Sequence, residues 1–156
     1  MKKIAAALAL IAALGLPALA EAREVTFTTK LKQYGGPGAY VALYVTDGNG
    51  QYQGTVWMAG GKSKYYRHLS DWKRATQGDL REIDGITGAS VGSGRTLTVK
   101  LDLADALIDA GYQIRIDAAV ENMGDSPGEI VAPLTSSAAG QPVAGRGYVE
   151  SFSYSM

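Results

Sequence analysis

The sequence predicts an all-β fold, an immunoglobulin-like antiparallel β-sandwich with one short helix. Three observations lead to this prediction. Segments of alternating apolar and polar residues recur along the chain, turn-forming clusters of Gly, Asn, Asp and Pro separate them, and a single stretch has helical spacing. A small eight-stranded β-barrel is the alternative. Strands do not alternate with helices, so the pattern does not favour a nucleotide-binding α/β fold.

The N-terminal residues have the features of a secretory signal peptide. Two lysines precede an apolar run over residues 4–16, and a proline and small residues follow it. This run is shorter than the roughly 20 residues that cross a bilayer. Cleavage after Ala20 fits the small-residue rule best, and cleavage after Ala22 is the alternative. We therefore expect residues 1–20 to be a signal peptide and residues 23–156 to be one exported domain that does not span the membrane.

The composition excludes several kinds of site. The chain has no cysteine, which excludes disulfides, iron–sulfur clusters, c-type haem and cysteine-ligated zinc. Its single histidine excludes a multi-histidine metal centre within the chain. Fifteen basic residues balance fifteen acidic ones, so there is no basic surplus to neutralise phosphates and we expect no nucleic-acid partner.

The first half of the expected domain is predicted to contain a strand and then a hairpin. Residues 24–32 alternate in the manner of a half-buried strand. Residues 40–45 are apolar on both faces, as in a central strand. The Asp-Gly-Asn-Gly run at residues 47–50 tolerates positive φ, so it predicts a tight turn with residues 51–58 as the return strand.

Residues 64–77 are predicted to form a short amphipathic helix, or two turns of one, and Gly78 is a plausible stop. The apolar residues at helical spacing are Tyr65, Leu69, Trp72 and Ala75. We expect this stripe to pack on the sandwich.

The second half is predicted to contain four further strands. Residues 104–110 form a short helical or turn-like crossover after the first of them, and residues 122–128 form a turn cluster. The third of the four is expected to be a weak edge strand. The strands cover residues 95–103, 112–120, 129–134 and 148–154.

The sequence does not contain the arrangement of a hydrolase. His68 and Asp71 can share a helix face, but no serine lies in a G-x-S-x-G context, so we expect an exposed helix histidine. Several acids of the second half are interpreted as solvated faces and turn caps rather than a catalytic pair. These acids are Asp102, Asp105, Asp109, Asp117 and Glu121.

The segment Asp-Gly-Ile-Thr-Gly-Ala-Ser at residues 84–90 is predicted to be a loop in which small residues leave the Ser90 hydroxyl exposed. It resembles the acceptor motif of proteins that a periplasmic flavin transferase modifies. The matching residues are Asp84, Thr87, Gly88, Ala89 and Ser90. The resemblance implies flavin mononucleotide (FMN) attached to Ser90 through a phosphoester, with a neighbouring carboxylate orienting the hydroxyl or a magnesium ion. The alternative interpretation is a mobile Gly/Ala/Ser turn.

The order of features resembles an uncharacterised family of predicted periplasmic proteins, whose members are typically encoded beside PepSY-domain membrane flavoproteins and flavin transferases. A Tyr- and Trp-rich tract at residues 65–72 precedes the D-x-x-T-G-A-S loop, and Gly111-Tyr112 opens a strand that ends at Val120-Glu121. Where members usually have a Trp-Asp-Gly turn, this chain has Leu-Asp-Leu at residues 101–103. The resemblance covers about residues 25–121. It implies an immunoglobulin-like domain linked to periplasmic electron transfer.

The expected function is therefore that of a periplasmic flavin carrier or accessory protein, not of an enzyme. Its expected partners are a flavin transferase and a PepSY-type membrane flavoprotein or another periplasmic redox partner. The aromatic candidates for stacking on the flavin are Tyr65, Tyr66, Trp57 and Trp72, with core packing favoured for the two tryptophans. The alternative function is a cofactor-free binding or structural module that partners a membrane complex.

Overall fold

A computed structural model describes residues 21–156, in which eight strands form two sheets. The predicted signal peptide, residues 1–20, lies outside the described residues. The strands are β1 (Ala22–Leu31), β2 (Ala39–Thr46), β3 (Tyr52–Ala59), β4 (Thr87–Gly88), β5 (Thr96–Ala104), β6 (Gln113–Val120), β7 (Asp125–Pro133) and β8 (Val149–Ser155).

The smaller sheet places β1 between β5 and β8, and both pairings are antiparallel. Its inner face carries large apolar side chains from all three strands because each strand alternates buried and less buried residues. Phe27 of β1 stacks on Phe152 of β8 with ring centroids 6.3 Å apart. Leu101 of β5 is equally buried.

The larger sheet has the order β4-β3-β2-β6-β7. The central position predicted for β2 is confirmed, since β3 and β6 pair with it on either side and nearly all of its residues are buried. The predicted hairpin between β2 and β3 is also confirmed. The Asp47 carboxylate closes its turn by accepting hydrogen bonds from the backbone N–H groups of Asn49 and Gln51, at 2.8 and 2.9 Å.

Among residues 21–156, no strand of one sheet pairs with a strand of the other, so the sheets do not close into a barrel. The sandwich prediction is therefore confirmed and the barrel alternative is wrong. The strand order resembles that of an immunoglobulin-type sandwich, in which A, B, E and D form one sheet and, in variable-type domains, C″, C′, C, F and G form the other. In this order β1 and β5 correspond to B and E, and the larger sheet corresponds to the five-stranded one. The position of strand A is taken by β8, the last strand in the chain.

The predicted helix over residues 64–77 is two shorter pieces rather than one continuous helix. A 3₁₀ helix covers Ser63–His68 and an α-helix, α1, covers Ser70–Ala75; they meet at Leu69, whose ψ of 69° is not helical. The physical reason is the spacing of the buried residues. Tyr66, Leu69 and Trp72 recur every three residues, and a 3₁₀ helix places residues i and i+3 on one face.

These two short helices form a partial third layer on the outer face of the larger sheet. The Trp72 side chain is fully buried, and its indole N–H donates to the Thr55 hydroxyl of β3 at 2.9 Å. The Tyr66 hydroxyl donates to the carbonyl of Gly60 at 2.8 Å. The two contacts fix the layer to the middle of β3 and to the residue that follows this strand.

Of two predicted connections, one is confirmed and one differs from the structure. The crossover after β5 contains the 3₁₀ helix Asp105–Leu107, as predicted. The predicted turn cluster at residues 122–128 is partly strand, because β7 begins at Asp125 and forms an edge longer than expected. Its register with β6 is interrupted: Ile116 pairs with Ile130 whereas Ala118 pairs with Ser126, so residues 127–129 bulge opposite Asp117.

Candidate functional site

The segment that contains Ser90 is held by the larger sheet rather than forming a free loop. Thr87 and Gly88 form β4, which pairs in parallel with the end of β3. Immediately after Ser90, Val91 exchanges two backbone hydrogen bonds with Ala39, at 2.7 and 2.9 Å. The backbone is thus fixed on both sides of Ser90, while the Ser90 side chain itself is exposed.

Two glycines allow close packing around this segment. A Cβ atom on Gly38 would lie 2.6 Å from the Ser90 Oγ, so the absence of a side chain makes room for the hydroxyl. A Cβ atom on Gly88 would lie 2.6 Å from the Trp57 ring. The Trp57 indole packs there with its N–H buried and without a hydrogen-bond partner among residues 21–156.

A cavity of about 180 Å³ opens beside Ser90. It brings together residues from the start of β2, the loop after β3, the 3₁₀ helix Ser63–His68 and the end of β6. The residues that matter for its chemistry are Ser90, Tyr40, Lys62, Tyr65, His68 and Glu121. The sheet topology therefore assembles a mixed aromatic and polar site around the predicted acceptor.

Two tyrosine rings line the cavity in fixed orientations. The rings of Tyr40 and Tyr65 meet edge to face, with centroids 5.5 Å apart. The Tyr65 hydroxyl donates to the Glu121 carboxylate at 2.6 Å, and this hydrogen bond raises the pKa of Tyr65. The Tyr40 hydroxyl accepts a hydrogen bond from the backbone N–H of Lys62 at 3.0 Å.

The only histidine also lines this cavity. His68 Nδ1 lies 3.0 Å from an Asp125 carboxylate oxygen, and Arg67 donates to its Nε2 at 3.3 Å. Asp71, which the sequence suggested as the residue sharing a helix face with His68, instead contacts Arg74 at 3.4 Å. His68 therefore pairs with Asp125 and not with Asp71. Since His68 is partly exposed, it remains accessible from the cavity.

Comparison with protein families identifies the chain. The profile of the family described as "Predicted periplasmic protein (DUF2271)" matches residues 22–151, most of the chain. The protein belongs to the DUF2271 family. No curated protein and no solved structure gives a significant match. The family description confirms the expected periplasmic location, and among residues 21–156 no helix has the length and apolar character to cross a bilayer.

The DUF2271 match includes Ser90 and every residue that lines its cavity. Of the aromatic residues expected to stack on a flavin, Tyr65 alone lines this cavity. Tyr66 and Trp72 are buried beneath the helical layer, which confirms core packing for Trp72, and Trp57 packs against Gly88. Tyr40 was not predicted as a site residue, although an aromatic residue on the outward-facing side of a central strand was a signal for it.

Asp117 departs most clearly from the interpretation of the acids as solvated. Its carboxylate is fully buried under the helical layer of this DUF2271 domain. It accepts hydrogen bonds from the backbone N–H groups of Trp72 and Gly128, at 2.8 and 3.0 Å, and from the Tyr44 hydroxyl at 3.2 Å. Burial raises the pKa of Asp117. The interpretation fits Asp105 better, which forms a surface ion pair with Arg23 at 2.8 Å.

We expect Asp117→Asn to gain stability relative to the wild type as the pH rises. Because burial raises the pKa of Asp117 in the folded state, the folded protein binds this proton more tightly than the unfolded chain does. The contribution of Asp117 to stability is thus greatest below its ordinary pKa and falls as the pH rises through the folded-state pKa. Urea unfolding of both proteins between about pH 3 and pH 7 measures the difference. If the difference in the free energy of unfolding between the two proteins stayed constant over this pH range, the pKa of Asp117 would not be raised in the folded state.

Proposed function

We propose that this DUF2271 protein carries FMN on Ser90 and serves in periplasmic electron transfer as a carrier or accessory of a PepSY-type membrane flavoprotein or another periplasmic redox partner. The observation that supports this best is the position of Ser90. It ends the D-x-x-T-G-A-S segment, is exposed, and lies at a cavity with two tyrosine rings. A bound flavin would accept and release electrons, which is chemistry that the side chains of this chain do not supply.

The attachment requires only a hydroxyl from this chain. A bond forms between the Ser90 Oγ and the flavin phosphorus, while the bond from that phosphorus to the leaving group of an activated flavin nucleotide breaks. The Ser90 proton is released, and a flavin transferase supplies the nucleotide. The product has the mass of the protein plus FMN less one water. Asp84, at the end of the 3₁₀ helix Leu80–Ile83, is exposed and accessible to the transferase.

The residues around Ser90 fit a flavin nucleotide. Tyr40 and Tyr65 offer aromatic surface to a planar ring system. Lys62 offers a positive charge and three N–H donors to phosphate or carbonyl oxygens, and it forms no ion pair within residues 21–156. Because β4 and the Ala39–Val91 bridge fix the backbone on both sides of Ser90, this residue is presented at a constant place beside the cavity.

Substitution of Tyr65 should change the fluorescence of the attached flavin but not its attachment. An aromatic side chain in contact with the flavin ring quenches its emission, so Tyr65→Leu is expected to raise the emission several-fold. Tyr112→Leu is the control and should leave the emission unchanged, because Tyr112 directly precedes β6 whereas the cavity lies at the other end of this strand. Emission per flavin, measured after mass spectrometry has verified equal loading, gives the result. Equal emission from all three proteins would exclude Tyr65 as a flavin contact.

The alternative is a cofactor-free binding or structural module for a membrane complex. Co-expression with an active flavin transferase in the periplasm separates the two functions. A carrier should be yellow and should gain the mass of FMN less one water; without the transferase it should be colourless. An unmodified mass, in cells where the transferase modifies a known acceptor, would overturn the flavin proposal and leave the binding module.

A further inference from the structure

A second concave surface lies beside the bulge of β7. We name it the arginine groove and define it by Arg115, Arg146, residues 127–131 and residues 143–144, which line a cavity of about 580 Å³. Among residues 21–156 it shares no lining residue with the cavity at Ser90. The groove is therefore a separate feature that the flavin proposal does not use.

Both arginines in the groove have only neutral hydrogen-bond partners. Arg115 donates to the Thr46 hydroxyl and to the side-chain oxygen of Gln113, each at 3.1 Å. Arg146 donates to the carbonyl of Pro127 at 2.9 Å. Neither forms an ion pair with a carboxylate in the part of the chain that the structure describes. Two guanidinium groups that form no ion pair within residues 21–156 thus line one concave surface, together with the carboxylates of Asp71 and Glu129.

The acids that also line the groove are already engaged. Glu129 is buried, and its carboxylate accepts hydrogen bonds from the backbone N–H groups of Gly147 and Val149, both at 2.8 Å, and contacts the Ser126 hydroxyl. Asp71 contacts Arg74. The guanidinium groups of Arg115 and Arg146 are therefore available to an external anion.

The shape and the apolar part of the groove favour an extended ligand. Its floor follows five consecutive residues of the edge strand β7, the first three of which form the bulge. Val131, in this floor, is 45% exposed, which is unusual for a large apolar side chain of this protein. A bound segment would cover Val131 while its carboxylates met the two arginines.

We propose that the arginine groove binds an extended acidic segment of a protein partner, with carboxylates paired to Arg115 and Arg146 and an apolar side chain on Val131. Guanidinium groups bind carboxylates with two parallel hydrogen bonds, which gives both strength and orientation. This inference is independent of the flavin on Ser90 and would hold for a cofactor-free module as well.

A peptide titration followed by NMR tests this proposal. The probe is the capped peptide acetyl-Glu-Leu-Glu-Leu-Glu-amide, added to the ¹⁵N-labelled protein, and the glutamine version of the peptide is its control. Shift changes should concentrate in the amides of residues 128–131 and 144–147. The Arg115→Gln/Arg146→Gln double variant should bind at least about tenfold more weakly. The Lys30→Gln/Arg81→Gln variant, with the same change in charge outside the groove, should bind as the wild type does.

Arg146→Gln alone keeps the test decisive if the double variant is poorly folded, because Arg146 is exposed and its loss should be tolerated. This single variant should also weaken binding. No shift change at millimolar peptide, equal binding of the glutamine peptide, or unchanged binding by the arginine variants would each overturn the proposal.

Discussion

Ser90→Ala should abolish flavin attachment, whereas Ser90→Thr should retain it. The reaction needs a hydroxyl at this position, and the nearby hydroxyls are engaged elsewhere. The Thr87 hydroxyl donates to the carbonyl of Ile83 at 2.9 Å, and the Ser93 hydroxyl accepts a hydrogen bond from the backbone N–H of Gly35 at 3.1 Å. We therefore expect complete loss of the mass increase in Ser90→Ala after co-expression with an active transferase, measured by intact mass spectrometry.

Ser93→Ala is the matched control for this experiment, since it removes a hydroxyl three residues away and should still gain the full mass. Peptide mapping of the modified wild type should locate the adduct on the peptide that contains Ser90. A flavin adduct on Ser90→Ala, or its loss from Ser93→Ala alone, would place the attachment elsewhere.

Asp117→Ala is expected to destabilise the protein by about 3–5 kcal/mol, because it leaves buried hydrogen-bond donors without an acceptor. Two of these donors are backbone N–H groups, those of Trp72 and Gly128, and they belong to α1 and β7 respectively. Loss of the carboxylate therefore affects both the helical layer and the bulge of the edge strand. Urea unfolding at neutral pH measures the free energy of unfolding.

Asp105→Ala provides the comparison for this prediction. It removes a carboxylate from the partly exposed ion pair with Arg23, and such pairs contribute about 0–1 kcal/mol. If the two substitutions lowered the free energy of unfolding by equal amounts, Asp117 would not be the buried acceptor that its hydrogen bonds indicate.

The strands of this fold were predictable from two patterns. A strand that buries one face alternates apolar and polar residues, whereas β2, which buries both faces, is a continuous apolar run. Residues 40–45, apolar on both faces, correctly predicted a central strand. The helical layer was less predictable, since its buried residues recur every three positions and Tyr65 competes with Tyr66 in the pattern. Alternation along β6 places Asp117 on the face of the strand that points away from the core between the sheets. Nothing in the neighbouring sequence indicates that the helical layer covers this face.

Only the part of the site that is continuous in sequence, residues 84–90, was predictable. Ser90 could be singled out because its segment resembles a short motif of adjacent residues. Tyr40, Lys62 and Glu121 lie in three different elements, and they meet beside Ser90 only because β2 pairs with both β3 and β6. Such convergence depends on strand order, which the alternation of single strands does not specify.

The place of β8 beside β1 has a consequence for how the chain folds after export. Thr26 pairs with Ser155, so the smaller sheet joins residues from opposite ends of the domain. Contacts of such large sequence separation form late, because the entropy of closing the intervening chain is lost before they contribute. The hairpin of β2 and β3, whose strands are close in sequence, can therefore form before the smaller sheet does. The smaller sheet closes only when both ends of the domain are present, so the core is completed last by the C-terminal strand.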